Sequence, residues 1–225
     1  MHAFLLFISL FSPAIPHPIT PQIIAAHAEK EGKAIKASRT SAVYITPIES
    51  HGHGTGTYVQ IDDDFFVITA RHVVKEHKRY FVNAGDEASI GSKIYESKKK
   101  DIAVLRVAKM KTRKAIILDK ACSLKIGETV YFSGFPSHYS LMTTRAFVSG
   151  EVDKNLKYLQ GLAWFGSSGS GTVNNHGELC AVVTAIATEQ RGFFVHALES
   201  LNYIHTITMN DILDIRKAIV KEKTP

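Results

Sequence analysis

Three short segments of the sequence contain side chains that could together activate a nucleophile. Ser168 lies in the stretch FGSSGSG, His72 follows the apolar run FFVITA, and Asp101 begins the segment DIAVLRV. Taken singly, they are typical of a turn, a structural histidine and a capping carboxylate. A serine hydroxyl is a poor nucleophile until a base removes its proton, and a histidine held by an aspartate is such a base. Together, the three segments therefore indicate nucleophilic catalysis.

Strand-like segments dominate the chain around these residues. Runs rich in β-branched and aromatic residues form two batches, which the charged connector KMKTRKAIILDKA separates. Helical spacing of apolar residues is evident only in the tail, at Ile212, Ile215, Ile219 and Val220. The pattern predicts two β-barrels or a β-sandwich, followed by a C-terminal helix.

In this order of segments the sequence resembles the trypsin-like serine peptidases, from about residue 41 to residue 204. GTGTYVQ and FFVITARHVV resemble that family's glycine-led strand and its Thr-Ala-x-His segment. DIAVLRV resembles its aspartate strand, and GSSGSGTVNNHGELCAVVTA its nucleophile loop. IGETVYFSGFP and AFVSGEV resemble the start of the second barrel in the HtrA-type branch. The resemblance implies an all-β, chymotrypsin-like fold: two six-stranded antiparallel β-barrels, the active site between them, and a short C-terminal α-helix.

The predicted boundaries divide the chain into four parts. Residues 38–112 form an N-terminal barrel with the histidine and the aspartate, and residues 113–207 form a C-terminal barrel with the nucleophile and the specificity pocket. Residues 208–225 form the C-terminal helix and tail. Residues 1–28 contain no Lys, Arg, Asp or Glu and end in the small-x-small site Ala26-His27-Ala28. We expect a signal peptide there, and a secreted or periplasmic protein; the alternative is an unprocessed apolar arm.

The resemblance assigns a role to each residue of the site. His72 is the general base, Asp101 fixes the tautomer of its ring, and Ser168 is the nucleophile of a serine endopeptidase that forms an acyl-enzyme. The backbone amides of Gly166 and Ser168 are expected to bind the oxyanion. No cofactor is expected.

Two neighbouring serines are rival nucleophiles on the sequence alone. Ser167 and Ser170 flank Ser168 within the same glycine-rich stretch. The register of TVNNHGELCAVV against the family pattern favours Ser168.

The resemblance also predicts the residues that bind substrate. Leu162, six positions before the nucleophile, is expected at the base of the primary pocket. The remaining walls are expected from residues 184–187 and from the segment that contains Phe194 and His196. The predicted substrate-binding residues are Leu162, Thr184, Ala185, Ile186, Ala187, Phe194 and His196. Thr184 is further expected to support Asp101. Such walls predict cleavage after small or medium apolar residues, and the alternative is that His196 turns inward to contact Gln or Glu.

Composition and charge limit the classes of partner that the protein is expected to bind. The net charge of +6 is spread over several lysine runs, including residues 98–100, which are typical of solvated faces. No interleaved aromatic and basic pattern is present, so no nucleic acid is expected, and the partner is a protein or peptide substrate. The apolar run at residues 3–11 is too short for a stable membrane span.

The cysteines and two histidines give weaker signals. Cys122 and Cys180 lack metal-type spacing and are interpreted as small buried apolar side chains, with a single bridge as the alternative. His51 and His53 lack a third ligand, so no metal site is predicted. Two other functions fit the same fold, a non-catalytic binding module and an esterase-type acyl hydrolase. The complete set of three residues disfavours the first, and the strand TAIA, placed to pair with an extended peptide, disfavours the second.

Overall fold

A computed structural model describes residues 21–48 and 52–223 of the chain. Its elements are, in chain order, α1 (Pro21–Ser41), β1 (Ala42–Pro47), β2 (Gly54–Ile61), β3 (Asp64–Thr69), β4 (Arg79–Asn83), β5 (Ala88–Glu96), β6 (Ala103–Arg106), β7 (Ile116–Ile117), β8 (Thr129–Gly134), β9 (Met142–Glu151), β10 (Leu156–Gln160), β11 (Gly171–Val173), β12 (Leu179–Arg191), β13 (Phe194–Thr206) and α2 (Met209–Lys223). A short 3-10 turn covers Arg71–Val74.

The first six strands form a closed antiparallel barrel. Their order is β1-β4-β5-β6-β3-β2, and β1 pairs with β2 to close the sheet, while β7 runs parallel to β2 outside it. Side-chain alternation selects the inner face, since β4 buries Tyr80 and Val82 and exposes Phe81.

The last six strands form a second closed barrel in the order β10-β13-β12-β11-β8-β9. Its core contains Val130, Val148, Leu159 and Ile204, all fully buried. The predicted pair of six-stranded antiparallel barrels is confirmed. The predicted C-terminal helix is confirmed as α2, which buries Ile212, Ile215 and Ile219 and leaves Val220 exposed.

The sequence pattern does not predict α1. Among residues 28–41, where the side chains of this helix are described, the buried ones are small: Ala34, Ser38 and Ser41. Ser38 Oγ donates a hydrogen bond of 2.8 Å to Ser133 Oγ on β8, so α1 is fixed to the second barrel. Two of these three buried side chains are serines, so the buried part of residues 28–41 does not follow an apolar pattern.

The predicted signal peptide, residues 1–28, lies mostly outside the described residues. Its last eight residues, 21–28, belong to the described range of α1. Within residues 21–48 and 52–223, neither helix has the length and apolar character needed to cross a bilayer.

Cys122 and Cys180 form a disulfide bond, with Cα atoms 4.8 Å apart. The bond joins the segment between the barrels to β12. The main interpretation, two unpaired buried cysteines, is therefore wrong, and the alternative of a single bridge is correct. With a separation of 58 residues, only the register of β12 brings the two cysteines together.

Candidate active site

The pairing of β3 with β6 brings the histidine and the aspartate together. Thr69 at the end of β3 lies opposite Ala103 at the start of β6. The chain then leaves β3 through the turn Arg71–Val74, which carries His72, while Asp101 precedes β6 by two residues. Two short motifs, 29 residues apart, thus meet at one edge of the first barrel.

Asp101 holds His72 through both of its carboxylate oxygens. The ring Nδ1 lies 2.6 Å from Oδ2, and the backbone N–H of His72 donates to Oδ1 at 2.9 Å. Burial raises the pKa of Asp101, but the hydrogen bonds and charge of His72 outweigh it, so the pKa lies below the ordinary value. Because the ionised carboxylate only accepts, Nδ1 carries a proton, which leaves Nε2 as the ring nitrogen that can act as a base.

The loop that contains Ser168 depends on two glycines with positive φ. Gly166 has φ +96° and Gly169 has φ +91°, a region that side chains rarely adopt. A Cβ at Gly169 would collide with the carbonyl oxygen of Thr55, and one at Gly166 with that of Phe135. These glycines let the loop turn sharply against both barrels.

Hydrogen bonds to both barrels hold the loop in place. The amide of Thr55 donates to the carbonyl of Ser168 at 2.8 Å, and the amide of Gly169 donates to Val183 at 2.7 Å. Ser168 and His72 line one cavity of about 380 Å³ between the barrels. In the described part of the chain no hydrogen bond joins the Ser168 hydroxyl to His72.

The two rival serines point away from this cavity. Ser167 is 3% exposed, and its hydroxyl accepts a hydrogen bond from the amide of Trp164 at 3.3 Å. Ser170 is fully buried against Gly134. Among the three serines, only Ser168 lines the cavity that contains His72.

The predicted oxyanion donors are not engaged elsewhere. Within the described residues, the amides of Gly166 and Ser168 donate no hydrogen bond to the protein. The carbonyl of Gly166 is held by Thr55 Oγ1 at 2.8 Å, which fixes the peptide unit on its C-terminal side. The oxyanion role of both amides remains a prediction.

Leu162 lies in a second cavity, of about 310 Å³, on the opposite side of the loop. Trp164 and Ser167 face this cavity, whereas the intervening Phe165 faces the cavity with His72. Glu199 also lines the Leu162 cavity, and no sequence motif indicates it. The nucleophile loop thus separates two recesses.

Phe194 and His196 were expected to line the primary pocket together with Leu162. In the structure they do not lie beside Leu162. Strands β12 and β13 extend beyond the barrel as a long hairpin, in which Arg191 pairs with Phe194 and Glu189 with His196. Phe194 is 72% exposed and His196 is also exposed.

The strand segment beside Leu162 comes later in β13. The amide of Gly161 donates to Ser200 at 3.0 Å and that of Ala163 donates to Glu199 at 3.1 Å. These bonds fix the segment before the nucleophile loop to the middle of β13, so Glu199, and not Phe194, lies beside this segment.

Thr184 contacts a histidine and not the aspartate that it was expected to support. Its hydroxyl lies 3.3 Å from the carbonyl of Tyr203 and 3.2 Å from Nδ1 of His205. Burial lowers the pKa of His205, and the negative charge of Asp101 opposes this shift. His205 was missed because a single histidine in a strand carries no local signal.

Among the described residues, 185–187 of β12 are paired on one side only. Ala185 pairs with Tyr203 of β13, whereas on the other side β11 pairs no further than Val182. The edge beyond Val183 is therefore open next to the nucleophile loop.

Within residues 21–48 and 52–223, no group of three or more His, Cys, Asp or Glu side chains is arranged to hold a metal ion. His51 lies outside the described residues. The ring of His53 instead contacts the carbonyl of Phe135, with Nε2 2.8 Å from the oxygen.

Two closed antiparallel barrels with a histidine, an aspartate and a serine loop at their junction define the chymotrypsin-like class of fold. The family model for the trypsin-like peptidase domain matches residues 54–182. Since this is more than half of the chain, the protein belongs to the trypsin-like peptidase family.

Sequence relatives and solved structures agree with this membership. A serine protease HtrA-like protein of Staphylococcus haemolyticus is 28% identical over 175 residues, 68% of this chain and 27% of the relative. A probable periplasmic serine endoprotease DegP-like of Hahella chejuensis is 30% identical over 155 residues, 65% of this chain and 32% of the relative. The serine endoprotease structure from Yersinia pestis superposes with a TM-score of 0.67 at 18% identity, over 86% of this chain and 67% of that one. The chain thus spans about a third or less of these two curated relatives.

Proposed function

We propose that the protein is a serine endopeptidase that works through Ser168, His72 and Asp101. The observation that carries the proposal is the double hydrogen bond from His72 to Asp101, with Ser168 in the same cavity. The family membership and the relatives that are named serine proteases support it. No cofactor is required for this chemistry.

The proposed reaction proceeds through an acyl-enzyme. Nε2 of His72 takes the proton of the Ser168 hydroxyl as Oγ attacks the substrate carbonyl, and Asp101 stabilises the imidazolium that forms. The imidazolium gives its proton to the leaving amine, and the C–N bond breaks. A water, deprotonated by His72, then attacks the ester and releases the acid and Ser168. The amides of Gly166 and Ser168 are the proposed oxyanion donors, and losing one such donor typically costs about 3 kcal/mol in the transition state.

The open edge of β12 supports a peptide as the substrate. An extended chain could add to this edge through backbone hydrogen bonds at residues 185–187, directly beside the nucleophile loop. Its side chain before the scissile bond would then enter the Leu162 cavity, and the leaving part would occupy the cavity with His72.

We further propose that the protein acts outside the cytoplasm after cleavage behind Ala28. The disulfide bond is typical of oxidising compartments, and one relative is named a probable periplasmic endoprotease. The buried side chains Ala34, Ser38 and Ser41 all follow this site, so a mature chain from Glu29 keeps them. N-terminal sequencing of the exported protein should begin at Glu29. A sequence that begins at Met1 would contradict the proposed signal peptide.

Labelling with a fluorophosphonate probe tests the catalytic proposal directly. The wild-type chain should be labelled covalently, and Ser168→Ala should abolish both labelling and peptide hydrolysis. Ser167→Ala and Ser170→Ala are the matched controls and should retain labelling. Strong labelling of the Ser168→Ala protein would show a different nucleophile, and an unlabelled, folded wild type would favour a non-catalytic binding module. Labelling combined with hydrolysis of esters alone would favour the esterase.

A further inference from the structure

His53 forms a contact between the two barrels next to the nucleophile loop. Its ring stacks on Tyr44 of the first barrel, with centroids 4.7 Å apart and an interplanar angle of 16°. Its Nε2 lies 2.8 Å from the carbonyl oxygen of Phe135, which follows β8 of the second barrel. Because a carbonyl only accepts, Nε2 carries the proton. The ring is therefore fixed in both its plane and its tautomer.

The same ring packs against Gly166. A Cβ at position 166 would collide with Nε2 of His53 and with the carbonyl oxygen of Phe135, so these two groups form the wall behind the glycine. On the other side, Thr55 Oγ1 donates to the carbonyl of Gly166 at 2.8 Å and accepts from the amide of Phe135 at 3.0 Å. Gly166 is thus enclosed by groups from both barrels at the φ of +96° that it adopts.

We propose that His53 is a positioning residue that orients the amide of Gly166 toward the developing oxyanion. This inference rests on the proposed function, since it assigns His53 to the same reaction. A backbone amide contributes to catalysis only when it points where the charge develops, and His53 limits the rotation of the peptide units at Gly166.

Histidine combines two properties that this position uses. Its flat ring fills the gap between Tyr44 and Gly166, and its edge donates to the Phe135 carbonyl. Phenylalanine would keep the stack and leave the carbonyl without this donor. Glutamine would keep a donor and lose the stack. The two variants therefore separate packing from hydrogen bonding.

Steady-state kinetics on the full chain give the first test. In His53→Ala we expect kcat to fall about 100-fold with KM nearly unchanged, which is the loss seen when one oxyanion donor is removed. His53→Gln should recover part of kcat, and more than His53→Phe does. The matched control is His176→Ala, at an exposed histidine in the turn between β11 and β12, and it should leave both constants unchanged. An unchanged kcat, or a loss confined to KM, would overturn the positioning role.

A second test needs no activity and separates this inference from the proposed function. In the Ser168→Ala protein, the 15N-resolved amide signal of Gly166 should shift when His53 is replaced by alanine. The amide of Gly127, which donates to Val148 at 2.7 Å, serves as the control and should not shift. An unchanged Gly166 signal refutes the contact-based role even if the wild type is a peptidase. If the Gly166 signal shifts but the fluorophosphonate probe does not label the wild type, His53 still positions the loop and only the proposed peptidase function is contradicted.

Discussion

Lys100 and Asp211 form a buried ion pair between the turn before Asp101 and the first turn of α2. Nζ lies 2.5 Å from Oδ2, and the two side chains are 6% and 9% exposed. Nζ also donates to the carbonyl of Thr206 at 2.8 Å, while the amide and hydroxyl of Thr208 donate to the same carboxylate. Since Lys100 directly precedes Asp101, the pair fixes the turn that carries the carboxylate against the C-terminal helix.

Removing one partner of this pair should destabilise the fold strongly. In Asp211→Ala the ammonium of Lys100 stays buried without its counter-charge, and such changes typically cost about 3–5 kcal/mol. The measurement is the free energy of unfolding in urea. Asp214→Ala is the matched control: it removes the exposed pair with Lys217 on the same helix, and should cost less than about 1 kcal/mol. Equal losses in the two variants would contradict the role of the buried pair.

The same pair illustrates what the sequence does not reveal. The lysine run at residues 98–100 is typical of a solvated face, and Lys98 and Lys99 are indeed exposed, but Lys100 is buried. Its partner follows 111 positions later in the chain. No local pattern encodes such a contact, because it depends on how α2 docks against the first barrel.

Features encoded in short segments were predictable. The alternation of apolar residues gives the strands, and the segments around His72 and Asp101 meet because β3 and β6 are neighbours in the barrel. The structure places Glu199 beside Leu162, and the sequence did not indicate this because the neighbour of Leu162 depends on the β12–β13 hairpin, where the register shifts at two positions. A periodicity of two residues continues through a longer hairpin unchanged, so the sequence does not show where the barrel ends.

The disulfide bond should contribute substantially to stability. Closing a loop with a separation of 58 residues reduces the entropy of the unfolded chain, and the chain-entropy model gives about 4 kcal/mol. We expect the double variant Cys122→Ala/Cys180→Ala to lose this amount in urea unfolding. Reductant should lower the urea midpoint of the wild type and leave that of the variant unchanged. A wild-type midpoint that does not respond to complete reduction would contradict this prediction.

His205 should make the stability depend on pH below neutrality. Burial lowers its pKa in the folded protein, as do the charges of Lys100 and Arg71, while Asp101 and Asp153 oppose the shift. In the unfolded chain a histidine has a pKa of about 6.5, so on acidification the unfolded state binds the proton first. The stabilising contribution is complete above that value and is lost as the pH falls toward the folded pKa.

A pH series of urea unfolding measures this contribution. Between pH 7.5 and pH 5, the decrease in the free energy of unfolding should be smaller in His205→Gln than in the wild type. The matched control His176→Gln, at an exposed histidine, should retain the wild-type slope. If His205→Gln and the wild type lose stability in parallel, the buried histidine is not the source.

The last prediction concerns the residue before the scissile bond. The cavity beside the nucleophile loop contains Leu162 together with Tyr139 and Met142, and all three retain exposed surface that an apolar side chain could cover. A charged side chain would lose its hydration there, so we expect cleavage after small or medium apolar residues in a peptide library. Leu162→Asp should shift the preference toward Lys and Arg, whereas Phe147→Asp, on the exposed face of β9, should not.

Two other groups could set this choice, and each predicts a different profile. Glu199 lines the same cavity, so a wild type that cleaves after Lys or Arg, and loses this in Glu199→Gln, would assign specificity to that carboxylate. His196 lies on the exposed hairpin, paired with Glu189. Cleavage after Glu or Gln that disappears in His196→Ala would require the hairpin to fold over the cavity. Cleavage after apolar residues should persist in Glu199→Gln and His196→Ala and change only in Leu162→Asp. This result would assign the selectivity to Leu162, because Leu162→Asp replaces the apolar surface of the cavity with a charge.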